Sequence, residues 1–235
     1  MFKTLIVSLV VLLTVMASSS GVVAQFDGYE QERGFTAVRL PTSAPVYAPE
    51  PCRTGSEEIC FGDYYKVLPK TAYVNKVVVP DTIVIHTDDQ SGNTPERWVS
   101  TTTWNGLAGR NSGGRSTHFG VGLDGVGQFL PMYRTGVIQC RGAGYDYDKH
   151  SIQIEMAGRT YNYMITGNAG PEMVRSIEII TAQTIDLVVS LMETYDIPIE
   201  NVIGHYEVEG SGKTDPGNLY FEQYFLPALE AKLSQ

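Results

Sequence analysis

The chain has 235 residues, 43% of them hydrophobic and 10% aromatic, enough apolar material for a packed domain of ordinary size. That composition excludes a fibrous or wholly disordered polymer. Its formal net charge of -9, from 17 Lys and Arg against 26 Asp and Glu, argues against a nucleic-acid partner, because polyanions are held by a basic stripe that the sequence lacks.

The first segment reads as a targeting signal. Lys3 gives a positive start, Leu5 to Met16 is almost wholly apolar, and Val22-Val23-Ala24 puts small residues at the -3 and -1 positions before Gln25. Residues 1–24 are therefore expected to be a cleaved secretory signal peptide, with the mature chain secreted, periplasmic or extracellular. The rival reading is an uncleaved anchor, but the apolar core falls short of the ~20 residues that span a bilayer. No stable membrane insertion is expected after cleavage. Residues 25–75 form an N-terminal extension rich in proline, with Pro41, Pro45, Pro49 and Pro51 close together. Phe61, Tyr64 and Tyr65 give it side chains with which to pack on a domain. Cys52 and Cys60 could close a short loop in an oxidising compartment, which leaves Cys140 over; three reduced thiols satisfy the count equally.

Periodic patterning begins near Tyr73. Thr82-Ile83-Val84-Ile85-His86 is a strand-length apolar run. Thr94-Pro95-Glu96 resembles a helix start, with Trp98 and Trp104 in the helix. His118 to Leu123 and Val126 to Leu130 read as a hairpin about Asp124-Gly125. Ser151 to Met156 alternates, placing Ser151, Gln153 and Glu155 opposite Ile152, Ile154 and Met156. Met173, Ile177, Ile180, Thr184, Leu187 and Leu191 recur on one helical face, and a last helix runs from about Tyr220 to Leu233. Strands interleaved with helices, including a hairpin, predict an α/β fold with a mixed central sheet flanked by helices.

Two histidines stand at the ends of apolar approaches: His86, and His205 after Val202-Ile203-Gly204. Asp215 follows ten residues on, within Gly212-Lys213-Thr214-Asp215-Pro216-Gly217. Two imidazoles and a carboxylate suit a catalytic zinc ion, leaving a fourth position for water. A histidine at a strand end also serves as an ordinary hydrogen-bonded residue, so spacing alone leaves both readings open. Gly210-Ser211-Gly212-Lys213-Thr214 imitates part of a phosphate loop. The glycine needed five residues before Gly212 is Glu207, so no nucleotide is expected.

Four segments in order carry a family resemblance. Ile83-Val84-Ile85-His86-Thr87 resembles the opening strand of the zinc-dependent type-2 N-acetylmuramoyl-L-alanine amidases, whose fold is shared with peptidoglycan recognition proteins and phage lysozyme-amidases. Ser116-Thr117-His118-Phe119 with Leu123-Asp124-Gly125 resembles the family's serine-x-histidine strand and hairpin. Ser151-Ile152-Gln153-Ile154-Glu155-Met156-Ala157-Gly158 is similar to its Ser-Ile-Gly-Ile-Glu-x-x-Gly strand. Gly204-His205 with Lys213-Thr214-Asp215-Pro216-Gly217 resembles its closing zinc loop. The resemblance implies an amidase domain over residues 76–235 that cuts the bond between N-acetylmuramic acid and L-alanine. It implies one Zn2+ per chain held by His86, His205 and Asp215, with Glu155 as general base and acid and Lys213 stabilising the oxyanion. The partner it implies is peptidoglycan or a muropeptide.

Two departures stand out. Where the family often has Trp-His-Ala-Gly, this chain has Ile138-Gln139-Cys140-Arg141-Gly142-Ala143-Gly144, and Thr87 stands where many relatives carry a second histidine. His118 is read as structural and His150 as solvent-facing. The alternative to an enzyme is a non-catalytic peptidoglycan-binding module of the same fold, which has no need of the complete ligand set.

Overall fold

The computed structural model describes residues 47–88, 115–144, 146–158 and 161–235. The segment read as a signal peptide, and the helix expected from Thr94 with its two tryptophans, lie outside them. The first elements among the described residues are a small antiparallel pair, β1 (Glu50–Pro51) and β2 (Ile59–Cys60), bridged by a Cys52–Cys60 disulfide. Then follow β3 (Tyr64–Tyr65), β4 (Val77–Val78), β5 (Thr82–Thr87), β6 (Phe119–Gly122), β7 (Gly125–Gln128), β8 (Met132–Tyr133), β9 (Gly136–Ile138) and β10 (Ser151–Met156). A short helix α1 (Asn162–Thr166) and the long α2 (Pro171–Tyr195) lead to β11 (Val202–Gly204). The chain closes with α3 (Asn218–Tyr220), a π-helical turn (Phe221–Phe225) and α4 (Leu226–Leu233).

Among the described residues the main sheet has six strands in the order β11-β5-β10-β6-β7-β3. β11, β5, β10 and β6 run parallel, β7 turns back antiparallel to β6, and β3 lies parallel to β7 at the edge. This is the mixed sheet with flanking helices that the patterning predicts. A second, three-stranded sheet joins β4, β9 and β8.

Alternation sorts the main sheet into two unlike faces. Ile83 and Ile85 of β5, Ile152, Ile154 and Met156 of β10, and Val202 of β11 point into the main core. There they meet the stripe of α2 (Ile177, Ile180, Leu187 and Leu191) and the closing helices through Tyr220, Phe221, Phe225 and Leu229. α2 begins with Pro171 in its first turn, where a missing N–H costs nothing, and ends at Asp196 in the left-handed conformation (φ 56°). Among the described residues the opposite face carries a small apolar cluster of Val84, Ala143 and Val208, beside buried polar side chains such as Ser151, Gln153 and His86.

The hairpin turns at Leu123-Asp124, with Gly125 opening the return strand at φ +108°. A Cβ at Gly125 would come within 2.5 Å of the Asp63 carboxylate, which accepts a hydrogen bond from Val126 N–H at 3.0 Å. Only glycine leaves room for that contact.

Part of the proline-rich stretch is built into this domain. Phe61 is 1% exposed and packs edge-on against Phe119 of β6, ring centroids 6.0 Å apart. Phe61 N–H also bonds the buried Gln128 side chain at 3.0 Å. Phe61→Ala is therefore expected to destabilise the whole domain by about 3–5 kcal/mol in urea unfolding. A change within about 1 kcal/mol would mean that this segment folds apart from the domain.

Candidate active site

Parallel pairing brings the C-terminal ends of β11, β5 and β10 to one edge of the sheet. Across that edge Glu155 lies opposite His86, and Gly204 opposite Ile85, so the next residue, His205, falls beside His86. The same alternation that buries Ile85, Ile154 and Val202 in the core sends His86, Glu155 and His205 to the polar face. Asp215 arrives from the loop after β11, held by Tyr206 N–H bonding its carbonyl at 3.0 Å.

The three expected ligands meet. His86 Nδ1 lies 2.8 Å from His205 Nδ1, His205 Nδ1 lies 3.1 Å from Asp215 Oδ2, and His86 Nδ1 lies 3.5 Å from the same oxygen. Thr87 N–H donates to Asp215 Oδ2 at 3.3 Å. His86 and His205 are buried and Asp215 is partly so. A tetrahedral ion holding nitrogen and oxygen at about 2.0–2.1 Å sets its ligands about 3.3 Å apart, so the triangle has the size of a cation site. Among the described residues this is the one cluster of His, Cys, Asp and Glu with such convergence. The donor chemistry, two imidazoles and a carboxylate, fits zinc.

The electrostatics follow from burial and from the cluster itself. Burial pushes His86 below its ordinary value, with Asp215 opposing and His205 adding to the fall. Burial acts to raise the Asp215 carboxyl, but the closeness of the His205 and His86 rings, and their charge when protonated, outweigh it and hold it well below the usual carboxylate range. Burial drives Glu155 well above its ordinary value, reinforced by the nearby charges of Asp215 and Asp88 and opposed by Lys213. Glu155 Oε2 is buried without a hydrogen-bond partner among the described residues. Lys213 is exposed on the loop between His205 and Asp215, its backbone N–H on Ser211 Oγ at 3.3 Å.

The remaining histidines fall elsewhere. His118 is fully buried with both ring nitrogens engaged: Nε2–H donates to Ile138 O at 2.9 Å, and Nδ1 accepts from Gln153 N–H at 3.0 Å. It has no lone pair left for a ligand and holds β6 to β10. His150 is half-exposed and paired through Nδ1 with Asp81 at 2.6 Å. Cys140 is a buried thiol donating to Ser116 O at 2.9 Å.

Two residues at the site are absent from the expected set. Gln153, fully buried, accepts from His86 Nε2 through its side-chain oxygen. Its signal in the sequence is that it stands where the family strand has glycine. Asp88 follows β5, accepts from Gly158 N–H at 2.9 Å and lies close enough to Glu155 to raise it. No motif marks it.

The model of the N-acetylmuramoyl-L-alanine amidase family matches residues 76–218. Among solved structures, that of PlyL is 20% identical with a TM-score of 0.52, covering 71% of this chain and 95% of its own. The catalytic domain of XlyA is 17% identical with a TM-score of 0.51, covering 72% of this chain and 96% of its own. The PlyG catalytic domain is 19% identical with a TM-score of 0.52, covering 72% and 93%. These likenesses are of fold. No curated protein sequence matches the chain.

His118 makes a pH prediction. Burial lowers it to about 4 in the folded protein, its bond to Ile138 O opposing. Between about pH 6.5 and 4 the unfolded chain takes up a proton that the folded chain refuses, so stability falls as pH drops through that window, by up to about 3 kcal/mol from this group. His118→Asn retains an acceptor for Gln153 N–H and does not titrate. In metal-free protein the stability gap between wild type and His118→Asn should narrow by that amount from pH 7 to pH 4. An unchanged gap would show that His118 is not held neutral.

Proposed function

Because the chain belongs to the N-acetylmuramoyl-L-alanine amidase family, we propose that it is a secreted, zinc-dependent enzyme that hydrolyses the amide bond between N-acetylmuramic acid and L-alanine in peptidoglycan. The observation that carries the reading is the convergence of His86, His205 and Asp215 beside Glu155. A binding module needs no such set, and here every member of it is kept.

His86 and His205, through Nδ1, and Asp215, through a carboxylate oxygen, would hold one zinc ion. When bound, the ion would supply Lewis-acid polarisation of the scissile carbonyl and of the attacking water. The chain's own residues handle the protons. Glu155, across the strand pair from His86, takes a proton from the water as its oxygen attacks the lactyl carbonyl. It returns that proton to the alanine nitrogen, which must be protonated to leave. An oxygen of Glu155 free of hydrogen bonds suits a group that must accept and release a proton. Lys213, whose charge reaches Glu155, supplies positive charge where the oxyanion develops.

Export is part of the same proposal. The charged start, apolar core and small residues before Gln25 support cleavage there, and the Cys52–Cys60 bridge suits an oxidising compartment. Among the described residues no helix is long and apolar enough to cross a membrane. N-terminal sequencing of secreted protein should read from Gln25; an intact Met1 end confined to the cytosol would overturn export.

Glu155→Gln should keep the fold and one zinc per chain while release of stem peptides from purified sacculi, followed by mass spectrometry, falls on the order of 100- to 10,000-fold. His205→Ala should lose metal and turnover together. Near-normal turnover by zinc-loaded Glu155→Gln would remove Glu155 from the chemistry. Full zinc occupancy in His205→Ala would remove the ligand assignment.

A further inference from the structure

A chain of hydrogen bonds runs from a backbone carbonyl to the His86 ring, and its direction is set at the far end. Tyr147 O can only accept, so the Ser151 hydroxyl gives it its hydrogen, at 2.5 Å. Ser151 Oγ, its hydrogen committed, then accepts from the Gln153 side-chain nitrogen. That turns the Gln153 carbonyl oxygen toward His86, where it lies 2.5 Å from Nε2. An amide oxygen has no hydrogen to give, so the hydrogen of the neutral His86 ring must sit on Nε2. Nδ1 is left with its lone pair, aimed at His205 and Asp215.

Gln153 is itself immobilised from three sides. Its N–H donates to His118 Nδ1 at 3.0 Å, and its C=O accepts from His118 N–H at 3.1 Å and from Thr117 Oγ1 at 3.0 Å. Above the side chain passes Gly142, where a Cβ would come 2.9 Å from Ser116 O and 3.3 Å from Gln153 Cγ. Asp148 fixes that loop by accepting from the N–H groups of Gly142 and Gly144 at 2.9 and 3.0 Å. The socket is thus made by the loop in which this chain departs from the Trp-His-Ala-Gly pattern.

We propose that Gln153 is a positioning residue that holds the His86 ring with Nδ1 presented as a lone pair to the metal position; this rests on the zinc reading above. It acts through His86 and touches neither metal nor substrate. A second partner of this kind fixes both the rotation of a ligand ring and which nitrogen is available.

The test compares the full chain with Gln153→Met, which keeps length and removes the strong acceptor, with Gln153→Glu, which keeps an acceptor, and with His205→Ala as a ligand control. Zn2+ affinity is measured by chelator competition, and the visible spectrum of the Co2+-substituted protein reports ligand geometry. Gln153→Met should lose about 10- to 100-fold in Zn2+ affinity with an altered Co2+ spectrum, while Gln153→Glu stays within about threefold of wild type or binds tighter. Wild-type affinity and spectrum in Gln153→Met would overturn the proposal. So would an equal loss in both Gln153 variants, because packing and not the acceptor would then be responsible. Wild-type affinity in His205→Ala would instead overturn the zinc reading itself. Should Gln153→Met fail to fold, metal-free wild type with 15N-labelled histidine decides: long-range 1H–15N correlations should place the His86 hydrogen on Nε2, and finding it on Nδ1 would overturn the proposal.

Discussion

The parallel register of β11, β5 and β10 is the constraint on which the site depends. Glu155 faces His86, and His205 follows Gly204, because Ser151 pairs with Thr82 and Val202 with Ile83. Side chains alternate with a period of two, so a slip of one residue in either pairing would send a polar side chain of the candidate site into the main core and an isoleucine into the site. The apolar residues between the functional ones enforce the register. Ile83, Ile85, Ile152, Ile154 and Val202 all reach the core only when the pairing is as observed. Hydrophobic burial, which is non-directional, is converted by the pleat into placement of individual polar groups.

The two faces of the sheet divide the labour. α2 and the closing helices bury one face, and their contacts are almost wholly apolar apart from bonds such as Thr181 with the Tyr220 hydroxyl at 2.6 Å. The other face buries Ser116, Thr117, His118, Ser151 and Gln153, and there polar groups must find one another. They do so in series: His118 ties β6 to β10, Thr117 and His118 together hold the backbone of Gln153, and Ser151 with Gln153 carries the network on to His86. Rigid placement of the His86 ring is then a consequence of satisfying buried polar atoms.

Much of this was legible in the sequence where one period governs. The strand 151–156 lies within its expected bounds, and the α2 stripe from Ile177 to Leu191 is buried as its three- and four-residue steps require. His86, His205 and Asp215 are distant in sequence; their residue types and strand-end places already suggested a zinc set, spacing left an ordinary structural reading equally open, and the family pattern tipped the balance. What stayed hidden depends on contacts across elements. Gln153 could be placed on the face of Glu155, but its bond to His86 needs the β5–β10 register. Asp88 has no motif, and its influence on Glu155 comes only from proximity. Phe61 was legible as a side chain with which the proline-rich arm could pack on a domain, but its partner, Phe119, is a long-range contact that local pattern does not encode.

Buried polar groups are paired almost without exception in folded proteins, so the exceptions carry information. Among the described residues Glu178 Oε2 and Gln183 Oε1 on α2 are two such atoms, and Glu155 Oε2 is another. What separates Glu155 is its company. Ser151 and Gln153, its neighbours on the same strand face, have their side chains fully committed, so the pattern of satisfaction stops one alternation short of the carboxylate. An oxygen left bare at the end of an otherwise closed network costs stability, of order 1–3 kcal/mol for a neutral group and more for a charged one. That cost falls at the strand position opposite His86, where the proposed proton transfer requires a carboxylate not already bonded to the protein. A fixed His86 ring and an uncommitted Glu155 oxygen are therefore two outcomes of one strand, set apart by whether the residue's side chain ends inside the hydrogen-bond series or beyond it.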